Sequence, residues 1–189
     1  MRLFAIWGML GIAIEENVID TEDLIRMDIL RELPDSARVW VFSVQSTLLE
    51  EQEAQLGVAL ANLIQSWKAH GSRVVGGYDI VYRTFVIIGA DESLTEVSGC
   101  SIDSVTRGVR NALAHVNATL ADESDIFFRD QNENILHINR LEFRSLAEEN
   151  KVSAVTTVFN NTVATLSDLR QGKWECKAKD SWHARAFKL

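Results

Sequence analysis

Residues 84–90 read Thr-Phe-Val-Ile-Ile-Gly-Ala, and this short apolar run decides the fold class. A run so rich in β-branched and aromatic side chains is typical of a strand that is buried on both faces. A second run of the same kind, Val39-Trp-Val-Phe-Ser-Val44, lies earlier in the chain and also predicts a central strand. Two such strands indicate a sheet that other elements cover.

A helix is predicted between these two strands. Thr47 and Glu50 form the T-x-x-E pattern of a capping box, which opens a helix. Apolar residues then recur at helical spacing as far as Trp67. His70 lies at the predicted end of this helix, and Gly71 is its C-terminal stop.

The remaining elements complete an alternating order. Residues 74–83 predict a strand just before residues 84–90, residues 98–103 lead into a second helix, and residues 125–129 and 135–138 predict a hairpin. The order is strand, helix, strand, strand, helix, strand, which is the split βαβ pattern of ferredoxin-like domains. We expect an α/β (α+β) protein with a ferredoxin-like core and a C-terminal α+β extension.

Three parts of the chain are expected on this basis. Residues 1–26 form an N-terminal extension, residues 27–138 form the core, and residues 139–189 form an extension that packs on the core, because no linker separates them. The extension is predicted to hold a helix at residues 141–149, a strand at residues 155–159 and an irregular tail.

The N-terminal extension allows three interpretations. Arg2 followed by the apolar residues 3–14 is similar to the start of a secretion signal, but no small-residue cleavage site follows. The run is too short to span a bilayer, which takes about 20 apolar residues. The alternatives are a helix packed on the body, or translated sequence upstream of a true start at Met27. We expect a cytoplasmic protein, and a chain beginning at Met27 that melts within a few degrees of the full chain.

Composition excludes several function classes. The 189 residues carry a net charge of −8, so a general nucleic-acid-binding surface is not expected. Cys100 and Cys176 are too few for a disulfide framework or a cysteine zinc site. The chain contains no H-E-x-x-H, C-x-x-C or G-x-G-x-x-G motif, so we predict no metal and no cofactor.

Four short motifs carry a resemblance to a known family. They are Trp67-Lys-Ala-His70-Gly71, Ser98-Gly-Cys-Ser-Ile-Asp103, Val158-Phe-Asn-Asn161 and Asp180-Ser-Trp-His183-Ala-Arg185. On these motifs the chain resembles a family of short, uncharacterised bacterial proteins that often carry the label "ABC transporter ATPase". The likeness covers most of residues 34–187. It implies no established activity, and residues 1–26 fall outside it.

The ATPase label can be tested against the residues. A Walker A loop, G-x-x-x-x-G-K-[ST], joins a strand to a helix and cradles phosphates with its amides. The nearest match is Gly71-Ser-Arg-Val-Val-Gly76-Gly77-Tyr78, which has Gly and Tyr in place of Lys and Ser/Thr and leads into a strand. We therefore do not expect ATP hydrolysis of the ABC type.

One end of the predicted sheet is the expected functional site. The C-terminus of the first helix and the N-terminus of the second helix meet at this end in a split βαβ domain. The cluster Asp180-Ser-Trp-His183-Ala-Arg185, near the C-terminus of the chain, is either a lid over this end of the sheet or a tail docked for stability. The expected ligand-binding residues are Trp67, His70, Ser98, Gly99, Cys100, Ser101, Asp103, Trp182, His183 and Arg185.

Cys100 allows two interpretations. A cysteine at the start of a helix has a lowered thiol pKa and can act as a nucleophile. If Ser101 is the N-cap, however, Cys100 packs on Val105 as a hydrophobic staple, and this is the expectation we favour. Asp103 is expected in the first turn, where its charge compensates the helix dipole and argues against a bound anion.

Two function classes follow from these candidates. The first is a non-catalytic module that binds a small anionic ligand or a protein partner at this end of the sheet. The second is a thiol-dependent enzyme with Cys100 as nucleophile, His70 or His183 as base and Asp103 as the orienting carboxylate. The first class is favoured, because a catalytic site needs a depressed thiol pKa, a close base and a pocket together.

Overall fold

The structure is a computed structural model that describes residue 30 and residues 32–93 and 95–189. It shows a mixed α+β protein with antiparallel sheets and five helices in its described part. The predicted extension at residues 1–26 and the predicted start at Met27 lie outside the described residues. No helix within the described ranges is long and apolar enough to cross a membrane.

The described chain contains nine strands and five α-helices. The strands are β1 (Arg38–Ser43), β2 (Lys68–Ala69), β3 (Ser72–Arg73), β4 (Val75–Val81), β5 (Phe85–Asp91), β6 (Ile126–Arg129), β7 (Ile135–Ile138), β8 (Thr157–Phe159) and β9 (Glu175–Lys177). The helices are α1 (Glu50–Ser66), α2 (Gly99–His115), α3 (Arg140–Glu148), α4 (Leu166–Arg170) and α5 (Trp182–Phe187).

The first sheet has the antiparallel order β1-β5-β4. β5 is central and almost wholly buried, which confirms the prediction from its apolar run. α1 and α2 pack on one face of this sheet, in the same apolar cluster as Val86 and Ile88. The two helices approach closely at Gly108, where an added Cβ would clash with Cδ1 of Leu63.

The predicted hairpin forms, but in a second sheet. β6 and β7 pair from Ile126 opposite Ile138 to Arg129 opposite Ile135, as their sequence indicates. β6 then pairs with β8 rather than with β1, and the second sheet has the antiparallel order β7-β6-β8-β9. The ferredoxin-like core, which needs this strand beside β1, is therefore not confirmed.

Two short segments take the place beside β1 where the predicted fourth strand would lie. Leu120 lies opposite Val44, and Thr165 lies opposite Arg38, both in antiparallel bridges. Both segments run in the same direction along β1, since their residue numbers rise as those of β1 fall. The chain leaves this edge after Ala121 and rejoins it at Ala164. No described backbone segment pairs with the middle of β1 on this side.

Both predicted ends of the first helix are wrong by a few residues. Leu49 is the N-cap of α1, and its N–H donates to Oε1 of Gln52 at 2.9 Å. α1 ends at Ser66, and His70 and Gly71 form the turn between β2 and β3. Their φ angles of 51° and 83° suit the left-handed turn that a two-residue hairpin requires.

The predicted irregular tail is ordered. After the predicted helix and strand, which form as α3 and β8, the chain continues through α4, β9 and α5. A separate apolar cluster joins α3 and α5 to the second sheet, with Phe143, Val158 and Phe187 among its buried members. The segment at residues 139–189 thus builds a core of its own as well as packing on the first sheet.

Candidate functional site

The end of α1 and the start of α2 are in contact, as predicted. Nε1 of Trp67 donates a hydrogen bond of 2.7 Å to Oγ of Ser101, and Ser101 Oγ donates to the carbonyl of Lys68 at 3.3 Å. Trp67 and Ser101 are both buried. Because their polar atoms bond to each other and to the backbone, these two residues hold the end of α1 against the start of α2.

His70 and Asp103 do not occupy their predicted positions. His70 is exposed in the turn between β2 and β3, so it lies beyond the helix that was expected to contain it. Asp103 is exposed as the fifth residue of α2, and the first turn of this helix has no acidic residue. Asp103 therefore does not compensate the dipole at the start of α2.

Cys100 is not a hydrophobic staple. Ser98 is the N-cap of α2, so the helix begins three residues earlier than the staple register requires, and Cys100 is exposed in its first turn. Val97 occupies the position before the N-cap and is buried in the same cluster as Ile102. This pair has the spacing of a staple, which leaves Cys100 on the solvent side.

We expect an alkylating reagent to modify Cys100 in the native protein. Its thiol is exposed, whereas Cys176 is partly buried and burial raises the pKa of that thiol. Mass spectrometry after native labelling should show one modification, on Cys100. Cys100→Ala should change the free energy of unfolding by less than about 0.5 kcal/mol, as for other surface positions. Labelling of Cys176 before Cys100 would contradict this placement.

The C-terminal cluster is a docked tail. His183 is 1% exposed; its ring stacks on Trp182 with 3.9 Å between centroids and lies against Phe143. Its Nδ1 is 2.9 Å from Oγ of Ser181. Burial and the nearby Arg140 lower the pKa of His183 to about 4. The imidazole is therefore neutral at physiological pH.

A lid over the start of α2, the other interpretation of this cluster, would bring His183 close to Asp103. His183 bonds to Ser181, and no ion pair between His183 and Asp103 occurs among the described residues. The guanidinium of Arg140 lies 5.2 Å from the ring centroid of Trp182, and Arg185 is exposed. The C-terminal motif therefore belongs to the second core, while Trp67 and Ser101 belong to the first.

A cleft of about 340 Å³ lies along the free edge of β1. β1 forms one wall, residues 120–123 close one end and residues 161–163 close the other. Thr106 of α2, Trp182 and His183 also line it. The cleft is thus the gap between the two segments that border β1, and sequence-based reasoning did not find it.

The backbone of β1 offers hydrogen-bonding groups to this cleft. Along this edge the N–H of Val39 donates to the carbonyl of Ala164, and the carbonyl of Ser43 accepts from Ala121. Since alternate residues of a strand face the same edge, both the N–H and the C=O of Val41 also point into the cleft. Neither group has a hydrogen-bond partner among the described residues. Val41 is therefore an open pairing position.

The cleft has an acidic end. Asp122, Glu123 and Asp125 line it, and no Lys or Arg does so in the described part of the chain. Hydrogen bonds from the hydroxyl and backbone N–H of Ser124 lower the pKa of Asp122, so this carboxylate is charged at neutral pH. Asp125 is 3.0 Å from Nδ1 of His137.

One sequence feature gives a signal for this site. The run Asp122-Glu-Ser-Asp125 stands between two predicted elements, immediately before a strand. An acidic run of this kind is usually a solvated loop, so by itself it does not indicate a cleft. The open edge of β1 could not be found in this way, because it depends on where β6 pairs.

Comparison with known proteins assigns no family. No family model matches the chain, and neither a curated protein nor a solved structure matches it. The resemblance to the family labelled as ATPases therefore stays a prediction.

Proposed function

We propose that this protein is a binding module that takes up an extended segment of a protein partner along the free edge of β1. The observation that carries this proposal is the open N–H and C=O pair of Val41 inside a cleft. A partner strand that pairs with Val41 would supply both missing hydrogen bonds, which is the mode called β-augmentation. The sequence also favours a binding module, but it placed the binding site at one end of the sheet, whereas the proposed site is the free edge of β1.

The arrangement of the strands also supports this function. We propose that the first sheet is a ferredoxin-like core whose fourth strand is interrupted by residues 122–163. Residues 119–121 and 164–166 then form the two ends of that strand, and the positions opposite Trp40, Val41 and Phe42 are empty among the described residues. Three residues of extended chain span about 10 Å and would complete the strand.

The other predicted activities stay predictions. Cys100 is exposed, but His183 is bonded to Ser181 and His70 lies in the turn between β2 and β3. These contacts do not favour a thiol-dependent enzyme, because neither histidine is bonded to Cys100 in the described part of the chain. The start of α2 is free of acidic residues in its first turn, which leaves room for a small anion. Neither feature provides a set of groups that converge on a ligand.

Val41→Pro should weaken peptide capture and leave the fold intact. Proline removes the N–H that faces the cleft, while the hydrogen bonds between β1 and β5 come from the neighbouring residues. The probe is a mixture of peptides with three randomised N-terminal residues followed by Gly-Gly-Lys, labelled on the lysine. We expect the full chain to retain labelled peptide, and Val41→Pro to retain about tenfold less, because it loses one backbone hydrogen bond to the peptide.

Val41→Ile is the matched control, because it keeps the N–H and a β-branched side chain. It should retain peptide as the native chain does. Melting curves of both variants show whether the sheet is intact. Failure of the native chain to retain any peptide, or equal retention by folded Val41→Pro, would contradict the proposed function.

A further inference from the structure

We propose that the segment bound at β1 is the free N-terminus of the partner, with its first three residues in the cleft and its α-amino group beside Asp122. This inference rests on the proposed function and specifies its ligand. It is carried by three features of the cleft: its closed ends, the direction of the interrupted strand and the placement of charge.

The cleft is closed at both ends by the protein's own chain. Ala121 occupies the position opposite Ser43, and Ala164 occupies the position opposite Val39. An internal strand of a partner would have to turn out of the cleft at both ends within three residues. A chain terminus needs to turn out at only one end, so the geometry favours a terminus.

The direction of the strand selects the N-terminus. In antiparallel pairing, one residue can exchange both of its hydrogen bonds with Val41, which matches the two open groups. The two bordering segments already run antiparallel to β1. A peptide with this direction begins next to Ala121 and ends next to Ala164, so its α-amino group lies at the end where Asp122 follows Ala121.

The charges at this end suit a cation. Both hydrogen bonds from Ser124 go to Oδ1 of Asp122, and Oδ2 of Asp122 accepts none from the described residues. Glu123 lies 3.7 Å from Arg110 and is largely exposed. A protonated α-amino group can therefore form a charge-assisted hydrogen bond with Oδ2 of Asp122. A C-terminal carboxylate at the same end would meet like charge.

The two faces of the strand set the side-chain preference. Val41 packs in the apolar cluster that contains Phe159 and Val163, and a partner residue opposite Val41 points to the same side. Phe42 and Trp40 pack on the side of α2, where Thr106 lines the cleft. We expect an apolar, β-branched second residue in the captured peptides.

The experiment compares the randomised peptide mixture with its N-acetylated form on the immobilised full chain at pH 6.5. An α-amino group has a pKa of about 7.7 to 8.0, so it is protonated under these conditions. Acetylation should reduce retention about tenfold, because it removes one charge-assisted hydrogen bond. Asp122→Asn should produce a loss of the same size, while Glu148→Gln, on the surface of α3, should produce none. Sequencing of the retained peptides should show enrichment of Val or Ile at the second position.

The possible outcomes separate this inference from the proposed function. If acetylated peptides are retained equally and retention still requires the N–H of Val41, the function stands and the N-terminal assignment is wrong. If retention is insensitive to Val41→Pro, both are wrong. If sedimentation shows a dimer of the native chain that Val41→Pro dissociates, the occupant is a second copy of this chain, and the assignment to a partner's N-terminus is overturned.

Discussion

Phe85→Ala should lower the free energy of unfolding by about 4 kcal/mol, a loss typical of a buried phenylalanine that is truncated to alanine. Phe85 is on β5 and is 0% exposed. Its ring centroid lies 5.2 Å from that of Phe127, 4.7 Å from that of Phe159 and 5.0 Å from that of Trp174. One side chain of the first sheet thus contacts three aromatic residues that belong to the second sheet or its connections. Urea unfolding at pH 7 measures the loss.

Leu141→Ala provides the control, since this side chain is 73% exposed on α3. A surface substitution of this kind should change stability by less than about 0.5 kcal/mol. Phe85→Leu should lie between the two, because it refills part of the cavity. A loss of less than about 1 kcal/mol for Phe85→Ala would mean that the two sheets do not pack through this ring.

Stability should fall by about 3 kcal/mol between pH 6.5 and pH 4 because of His183 alone. Burial, with Arg140 as the second cause, lowers the pKa of His183 in the folded protein to about 4. The unfolded chain binds a proton near pH 6.5, whereas the folded protein does not until the pH reaches about 4. The unfolded state therefore gains protons first as the pH falls, and stability is lost across that window. Above pH 6.5 both states are neutral and the contribution is constant.

His183→Gln isolates this contribution, because the amide does not titrate and can still bond to Ser181. The difference in unfolding free energy between the native chain and His183→Gln should vary with pH by up to about 1.4 kcal/mol per pH unit. The variation should be confined to the window between the two pKa values. An NMR titration of the imidazole gives the folded pKa directly. A midpoint at or above 6.5 would show that His183 is not buried as described.

Local sequence patterns predicted most of the elements. The apolar runs became β1 and β5, and the β6–β7 hairpin formed at its predicted residues. The short helix after it also formed, as α3. These successes share a cause, since hydrophobic periodicity and turn residues act over a few neighbouring positions. The predicted N-cap of the first helix was wrong: Leu49 is the N-cap of α1, and the hydroxyl of Thr47 lies 3.4 Å from that of Thr84.

The predicted positions of the site residues were correct in one respect and wrong in others. The contact between Trp67 and Ser101 follows from the order of the elements, since two helices that pack on one sheet meet at a common end. The positions of Cys100 and Asp103 depend on the residue at which α2 begins, and Ser98 and Ser101 are equally good N-caps in sequence. Val97 decided between them, because burying it at the position before Ser98 removes an apolar side chain from water.

The sequence by itself determined that strands would form at β1, β5 and β6, and that β5 would be buried. It did not determine which strand β6 would join, because the apolar pattern of β6 is local and does not specify its partner on the other edge. The tertiary structure decided this through aromatic packing. Phe127 of β6 and Phe159 of β8 both pack against Phe85 of the first sheet, so β6 and β8 lie side by side in the second sheet. With β6 in the second sheet, Val41 keeps a free edge, and the cleft exists only because of that long-range choice.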